Sequence, residues 1–246
     1  MLSAAAQSVN EVYPTLGPLV DKSAAGELAF LKYRNTCAQV YQRVSNQDDY
    51  ENLSDANKKR YNDWVSSTSS YWDVFAGGCT WYCGGGLDTI SASSALQAYR
   101  GINYLPKNIH DRNYKTAWIE GAPGYGIGEY ITYHFPPHNP RITEIKIVNG
   151  YVKSPLAWRN NSRVKKLKMY VDGKPFAILN LADSRQEQYF KFEPIGYGDR
   201  EDLEQLRANP WWSIRFEILA VYKGNKYDDT AITEIYFDGI DVHQTD

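Results

Sequence analysis

A short polar segment, "NIHDRNYKTAWIEG", places four oxygen-bearing side chains within nine residues: Asn108, Asp111, Asn113 and Thr116. Hard oxygen ligands from one irregular loop, closed by a carboxylate from elsewhere in the chain, are the donors that Ca²⁺ prefers. Glu234, near the end of the chain, supplies that carboxylate if the last strand runs beside this loop. The alternative interpretation is an Asx-rich turn that needs no ion.

A glycine-rich stretch, "GAPGYGIGEYITYHF", has the composition of a phosphate cradle. Such cradles need a helix after the glycines, because the helix N-terminus supplies the amides that hold the phosphate. Here Ile131, Tyr133 and Phe135 recur at period two and a Pro-Pro pair follows, which predicts a strand. We therefore interpret the glycines as a turn that precedes a half-buried strand.

Residue types of common catalytic sites are present but poorly arranged. The chain has 4 histidines, and His134 and His138 are separated by a Pro-Pro pair that excludes the helical spacing of a metalloprotease. Asp228 and Asp229 are adjacent, so on extended chain they point to opposite faces, which is poor geometry for glycoside hydrolysis. The sequence has no Gly-x-Ser-x-Gly nucleophile motif. We expect no catalytic activity.

The chain has 3 cysteines, Cys37, Cys79 and Cys83. Flanking glycines in "GGCTWYCGGG" allow a small loop, so we favour a Cys79–Cys83 disulfide over a zinc site, which needs two further ligands that are not nearby. A disulfide predicts an oxidising, extracytoplasmic compartment. The opening "MLSAAAQ" is not an intact signal peptide but suits the small-residue end of one. Cys37 is predicted to be a buried small hydrophobe.

Charge and hydropathy argue against two classes of protein. A formal net charge of -2 and a pI near 6.1 are untypical of a nucleic-acid-binding protein. No window approaches the roughly 18 apolar residues that cross a bilayer, so we expect no transmembrane segment. The 20 tyrosines and 7 tryptophans suit β-sheet, and they also suit flat surfaces that stack on sugar rings.

The elements that must position these groups fall into two regions. Residues 1–84 are predicted to be helical, because apolar residues recur at three and four from Ala24 through Val44 and Ser54 is a fair N-cap for a second helix. Residues 85–246 are predicted to form a β-sandwich of about eight strands. The predicted strands are 88–94, 129–135, 141–148, 163–171, 174–181, 186–192, 211–222 and 231–237. "VDGKP" predicts a tight hairpin, and "GYGDREDLEQLRANP" a short helical excursion.

Several motifs of the second region resemble, in order, those of the discoidin-like, galactose-binding-domain-like β-sandwiches. "TAWIEGAPGYGIGEYI", "IVNGYVKS", "NNSRVKKLKMYVDG" and "VYKGNKYDDTAITEIYFDG" are most similar to the bacterial modules called NADase-type glycan-binding domains. The resemblance covers about residues 79–242. It implies a jelly-roll sandwich that binds carbohydrate without catalysis through loops at one end. The resemblance does not extend to the small α-helical region that precedes this sandwich.

The resemblance also implies a structural calcium ion. Its ligands would be the carbonyl of Asn108, the side chain of Asp111, the carbonyl of Asn113, Thr116 and Glu234. Arg112 departs from the family pattern, because related sandwiches often have glycine between the two ligand positions. The conformation of this residue therefore decides whether the loop is able to hold the ion.

A segment from Asn149 to Arg163 is predicted to be a long loop rich in groups that recognise sugar hydroxyls. Tyr151 and Trp158 offer rings for stacking. The hydrogen-bond donors are Lys153, Arg159 and Asn161. The alternative is a surface loop whose aromatic residues cover the end of the sandwich and whose polar residues satisfy backbone groups.

Two functions follow as expectations. The first is non-catalytic glycan binding by a secreted or cell-surface bacterial protein. The second is an adaptor role, in which the helical region binds a protein partner, since the fold alone does not decide function.

Overall fold

The computed structural model of the protein describes residues 9–66, 70–74 and 80–243. Its strands are β1 Asn10–Val12, β2 Thr15–Leu19, β3 Thr89–Ala92, β4 Trp118–Ile119, β5 Tyr130–Phe135, β6 Ile142–Asn149, β7 Ser162–Val171, β8 Lys174–Asn180, β9 Gln186–Ile195, β10 Trp212–Tyr222 and β11 Thr230–Gly239. Its α-helices are α1 Ala24–Tyr41, α2 Gln47–Glu51, α3 Asp55–Ser66, α4 Pro155–Asn160 and α5 Leu203–Arg207. Single 3-10 turns span Trp81–Cys83 and Pro106–His110.

The strands form a β-sandwich, as the sequence predicted. One layer runs β2-β9-β6-β11 and the other runs β7-β10-β5-β3, with β8 and then β1 beside β7 and β4 beside the start of β11. The layers join where Thr230 and Ala231 pair in parallel with Ser162 and Arg163. The sheet therefore folds over on itself around one core.

The predicted period-two strands pack their apolar side chains into this core. β5 and β10 alternate between buried and half-buried residues, and Phe135 stacks on Trp212 with ring centroids 4.4 Å apart. Trp81 is fully buried in the same core, and its indole N–H donates to the Pro140 carbonyl at 2.9 Å. The sandwich core therefore includes a residue that precedes the boundary predicted at residue 84, and that boundary stays a prediction.

Local turn signals also give the expected geometry. Asp172 and Gly173 both have positive φ, 47° and 73°, between β7 and β8, which is the geometry of a tight two-residue hairpin turn. The glycine-rich stretch before β5 leads into a strand, so the phosphate-cradle interpretation is wrong. The helical excursion before β10 is α5.

The N-terminal region departs from the prediction, because Asn10–Val12 and Thr15–Leu19 are strands rather than helix. β1 pairs in parallel with β8, with Glu11 opposite Ile178, and β2 pairs with β9, with Thr15 opposite Tyr189. The two short strands thus extend both layers of the sandwich. Their partners lie more than a hundred residues along the chain, so no local pattern indicates them.

Of the helices that follow, α1 and α3 pack against each other, with the Tyr33 hydroxyl donating to Asp63 and the Tyr41 ring contacting Trp64. Ser23 caps α1 by accepting the Gly26 N–H at 3.1 Å, and Cys37 is buried as predicted. Leu28 and Leu31 are 55% and 56% exposed, so the apolar stripe of α1 is covered only in part. Within the described residues, none of the helices combines the length and apolar character that crossing a bilayer requires.

Candidate functional site

A cleft of about 660 Å³ opens between β4, the residues before it, α4 and the loop that leads into β11. Leu96, Ile119 and Ala157 provide apolar side chains in its lining. Ser154 caps α4 by accepting the Ala157 N–H at 3.1 Å, and Pro155 occupies the first turn. The segment predicted as a long loop therefore contains a short helix, which a Ser-Pro start could have indicated.

Three tyrosines, Tyr99, Tyr104 and Tyr227, line the cleft. Tyr99 exchanges backbone hydrogen bonds with Ile102 across a tight turn and is 63% exposed. Tyr227 is 42% exposed, and its N–H donates to the Asn160 carbonyl at the end of α4 at 2.8 Å. Exposed tyrosine rings offer apolar faces for a ligand, with a hydroxyl at the tip.

Polar groups of opposite charge lie in the same cleft. The Lys153 ammonium lies 4.5 Å from the centroid of the Tyr151 ring. Asp229 is half-buried, and burial, with the neighbouring Asp228 carboxylate, raises the pKa of its side chain. Asp228 is exposed and does not line the cleft. The cleft therefore offers a donor and an acceptor to one ligand.

The structure brings Tyr151, Lys153 and Asn161 to the cleft. Tyr151 is only 5% exposed, its hydroxyl donates to the Lys115 carbonyl at 3.3 Å, and burial raises its pKa to about 12. The Asn161 amide donates to the Ala157 carbonyl at 2.9 Å. Tyr151 and Asn161 therefore shape the cleft wall more than they present groups to a ligand.

Trp158 and Arg159 were expected at the sugar site, but neither lines the cleft. The Trp158 indole N–H donates to the Asn149 carbonyl at 3.0 Å, and the Arg163 guanidinium lies 4.5 Å from its ring centroid. Trp158 is a residue of α4, and its ring therefore packs against Arg163 and the end of β6. Arg159 is exposed elsewhere on that helix. For these two residues the alternative interpretation, a covering role at the surface of the sandwich, describes the structure better.

The sequence interpretation missed Tyr99, Tyr104, Tyr227 and Asp229 as cleft residues. Tyr99 lies on a turn in which Arg100 and Gly101 both have positive φ, and Gly101 is the residue that indicates this turn in the sequence. Tyr104 and Tyr227 are more than a hundred residues apart, and only the folded chain brings them to the same cleft.

The ion loop, residues 108–116, brings its predicted oxygen donors close to Glu234 of β11. Both carboxylate oxygens of Asp111 accept from the Thr116 hydroxyl, at 2.9 and 2.7 Å. That hydroxyl also lies 3.0 Å from the Asn113 carbonyl oxygen. The Asn113 N–H donates to Glu234 Oε1 at 2.8 Å, so β11 does run beside the loop. The Asn108 amide donates to the carbonyls of residues 103 and 117 and holds the loop closed.

Glu234 is the unusual group of this loop. It is fully buried, and its second oxygen, Oε2, has no hydrogen-bond partner among the described residues. Burial raises the pKa of Glu234 well above its usual range, the Asn113 N–H opposes that shift, and the Asp111 carboxylate adds to it. A buried carboxylate with a free oxygen beside a second carboxylate is a donor set that suits a hard divalent cation.

Arg112 resolves the departure noted in the sequence. Its φ is 60°, so the loop has the left-handed conformation that glycine adopts freely, at a cost of roughly 1–2 kcal/mol for arginine. Its guanidinium lies 5.7 Å from the centroid of the Tyr82 ring, a cation–π contact that offsets part of this cost. Among the described residues, no three histidine, cysteine, aspartate or glutamate side chains converge. The predicted Cys79–Cys83 disulfide lies outside the description, because Cys79 is not among the described residues.

Solved structures of carbohydrate-binding modules are among the proteins similar to this chain. The CBM32-1 and CBM32-2 domains of Clostridium perfringens ZmpB in complex with GalNAc share 12% identity over 96% of this chain, with a TM-score of 0.45, and this chain covers 41% of theirs. The CBM32-5 domain of C. perfringens GH89 in complex with GalNAc-beta-1,3-galactose shares 16% identity over 61% of this chain and 94% of its own, at 0.43. The family 32 module of C. perfringens NanJ in complex with galactose shares 14% identity over 61% of this chain and 91% of its own, with a TM-score of 0.41.

Among curated proteins, none matches this sequence closely enough to count as a relative. A family model does match, over residues 81–238, which include the cleft, the ion loop and all strands from β3 to β10. The family is described as the NAD glycohydrolase translocation F5/8 type C domain. The discoidin-like resemblance read from the sequence is therefore confirmed, and the chain belongs to the NAD glycohydrolase translocation F5/8 type C domain family.

Proposed function

We propose that this protein binds carbohydrate, without catalysis, in the cleft lined by Tyr99, Tyr104 and Tyr227. The observation that carries the proposal is the combination of exposed tyrosine rings with Lys153 and Asp229 in one 660 Å³ cleft. Ring faces meet the C–H faces of a pyranose, while an ammonium donor and a carboxylate acceptor suit hydroxyls, which both accept and donate.

The carboxylates of the cleft support a binding role over hydrolysis. Among the described residues that line it, Asp229 is the one carboxylate. Glycosidases that follow the usual mechanisms need a pair of carboxyl groups that flank the scissile bond. The cleft therefore lacks the second partner of such a pair within the described residues.

A glycan array in calcium-containing buffer tests the proposal. We expect selective signal for one sugar family, and Tyr227→Ala to weaken binding roughly fivefold, since one stacked ring contributes about 1 kcal/mol. Tyr13→Ala, which removes a tyrosine that is 70% exposed outside the cleft, is the matched control and should bind normally. A blank array with folded protein contradicts the proposal, and mass spectrometry of bound glycans should find them uncleaved.

We also propose that the ion loop holds a structural Ca²⁺. Asp111, Thr116 and Glu234 would hold it with side-chain oxygens, and Asn108 and Asn113 with carbonyls. When bound, the ion supplies positive charge between two carboxylates. The Tyr151 hydroxyl bonds to the carbonyl of Lys115, one residue before Thr116, so a firm loop also fixes one wall of the cleft.

The expected location of the protein is extracytoplasmic, and the predicted Cys79–Cys83 disulfide is the chemical basis of this expectation. Non-reducing peptide mapping of natural protein tests it, because a linked peptide pair supports an oxidising compartment and two free thiols contradict it.

An adaptor role remains the second candidate, because Leu28 and Leu31 give α1 an exposed apolar patch. Glycan binding that survives Leu28→Asp, together with loss of a defined protein partner, would separate the two functions.

A further inference from the structure

The chain segment that follows the helices lies directly against the ion loop. The Tyr114 N–H donates to the Trp72 carbonyl at 2.9 Å, and the Val74 N–H donates to the Arg112 carbonyl at 3.0 Å. Asp73 pairs with Asn113, which lies between Arg112 and Tyr114, as an isolated antiparallel β-bridge. The loop and the segment therefore share a short stretch of β-ladder.

Residues just before α1 contact Tyr71 and the loop residue Tyr114. The Lys22 ammonium, just before α1, donates to the Tyr71 carbonyl at 2.5 Å and lies 4.4 Å from the Tyr71 ring and 5.3 Å from the Tyr114 ring. The Ser23 N–H donates to the Tyr71 hydroxyl at 3.3 Å. We call residues 20–23 and 70–74 the stem of the helical region. Both halves of the stem meet at Tyr114.

A small apolar cluster seals this contact. Trp72 is 6% exposed and belongs to a cluster of buried residues with Val20 of the stem and Tyr114 of the loop. The Lys115 ammonium lies 5.4 Å from the centroid of the Trp72 ring. Removing the Trp72 side chain therefore loosens the loop without removing any oxygen that faces the ion.

The opposite side of the same loop residues faces the carboxylates. Asn113 donates its N–H to Glu234 and Asp111, at 2.8 and 3.1 Å, while its neighbours Arg112 and Tyr114 bond to the stem. Three consecutive residues thus connect the ion-facing oxygens to the stem. A change in the backbone of this loop cannot occur without changing both sets of contacts.

We propose that cation occupancy of the ion loop controls the docking of the helical region onto the sandwich through this stem. The inference rests on the calcium site proposed above. Without a cation, no positive charge lies between the Asp111 and Glu234 carboxyl groups, and the loop loosens. With a cation, Asp111 and Asn113 are fixed, and the Arg112 carbonyl and Tyr114 N–H are presented to the stem in pairing geometry. Because coupling between sites is reciprocal, the stem must strengthen cation binding by the same factor.

Calcium titration calorimetry on the full chain tests this reciprocity. We expect Trp72→Ala to weaken Ca²⁺ binding at least fivefold, within the usual range of allosteric coupling, although Trp72 supplies no ligand. Leu28→Ala, a change at an exposed residue of α1, should leave Ca²⁺ affinity unchanged. Should Trp72→Ala fail to fold, Lys22→Met removes the cation between the Tyr71 and Tyr114 rings and should weaken binding in the same direction.

Hydrogen exchange gives the second measurement. Calcium should slow exchange of the Val74 and Tyr114 amides and of the stem, while the central amides of β10 stay unchanged. If wild type binds Ca²⁺ but the stem variants bind it equally well and exchange at Val74 and Tyr114 does not respond, the coupling is overturned and the calcium site stands. If wild type binds no Ca²⁺, both the site and the coupling are overturned.

Discussion

The sharpest stability prediction concerns Glu234, the buried carboxylate of β11. Its Oε1 accepts the Asn113 N–H, whereas its Oε2 has no partner among the described residues and Asp111 lies beside it. Chelation leaves both carboxylates without the cation that we propose between them. Glu234→Gln keeps the acceptor oxygen, removes the charge and introduces an amide N–H₂ that is able to donate to Asp111.

The size of the effect follows from the linkage of binding and folding. At a Ca²⁺ concentration 100 times Kd, binding to the folded state alone adds about 2.7 kcal/mol of stability. For a domain of this size each kcal/mol shifts Tm by about 2–4 °C, so chelation should lower Tm by about 5–11 °C. Glu234→Gln should melt above chelated wild type, because it relieves a buried unpaired polar atom worth roughly 1–3 kcal/mol.

Differential scanning calorimetry with excess calcium and with chelator measures both quantities. Wild type should show the full shift, and Glu234→Gln and Asp111→Asn should show none. Asp238→Asn is the matched control, because that carboxylate bonds to Lys146 outside the loop, and it should keep the wild-type calcium response.

Two results would refute this reasoning at different points. Identical melting curves of wild type with calcium and with chelator would remove the ion from the loop. A calcium shift that persists in Glu234→Gln would place the bound ion elsewhere in the chain.

Three further predictions concern the cleft and the packing beneath it. Glycan affinity should fall as the pH drops through the pKa of Asp229, which burial raises above its ordinary value, because the protonated acid accepts hydrogen bonds less well. Isothermal titration should find that the glycan affinity of Asp229→Asn does not depend on pH over the same range. A pH dependence that is unchanged in that variant would rule out Asp229 as its cause. Trp158→Ala should destabilise the fold by roughly 3 kcal/mol in urea unfolding, because the ring packs against Arg163 and its N–H donates to the Asn149 carbonyl. A variant as stable as wild type that loses glycan binding would instead support the stacking role expected from the sequence. Gly150→Ala should also lower the urea midpoint, since Gly150 has a φ of 78° and the new methyl group would lie 2.7 Å from Trp158 Cδ1. A variant as stable as wild type would show that the loop adjusts to the methyl group without cost.

Much of the fold could be predicted from the sequence because the interactions that determine it are local. Period-two alternation of apolar residues defines β5 and β10, Asp172-Gly173 defines a hairpin turn, and Ser23 caps α1 one residue before the predicted helix. Each of these signals acts between residues close in sequence, so the sequence alone contains the information. The ion loop belongs to the same class, since four of its five oxygen donors lie within nine residues.

Which aromatic residues line the cleft depends, by contrast, on contacts between residues far apart in the chain. Trp158 and Tyr227 are both aromatic residues of loop-like segments, and nothing local distinguishes them. The Arg163 guanidinium and the Asn149 carbonyl contact the first ring, whereas the second residue is 42% exposed. Exposure depends on what packs against a side chain, and that is a property of distant residues.

The sequence by itself determined the sandwich, its turns and the oxygen-rich loop, because alternation, turn chemistry and donor type are properties of neighbouring residues. Only the tertiary structure decided which tyrosines form the cleft, that β1 and β2 extend both layers, and that the stem lies on the ion loop. These contacts join residues far apart in the chain. Many distant pairings are possible, and burial of the whole core selects the one that forms, whereas the preference of a single segment does not.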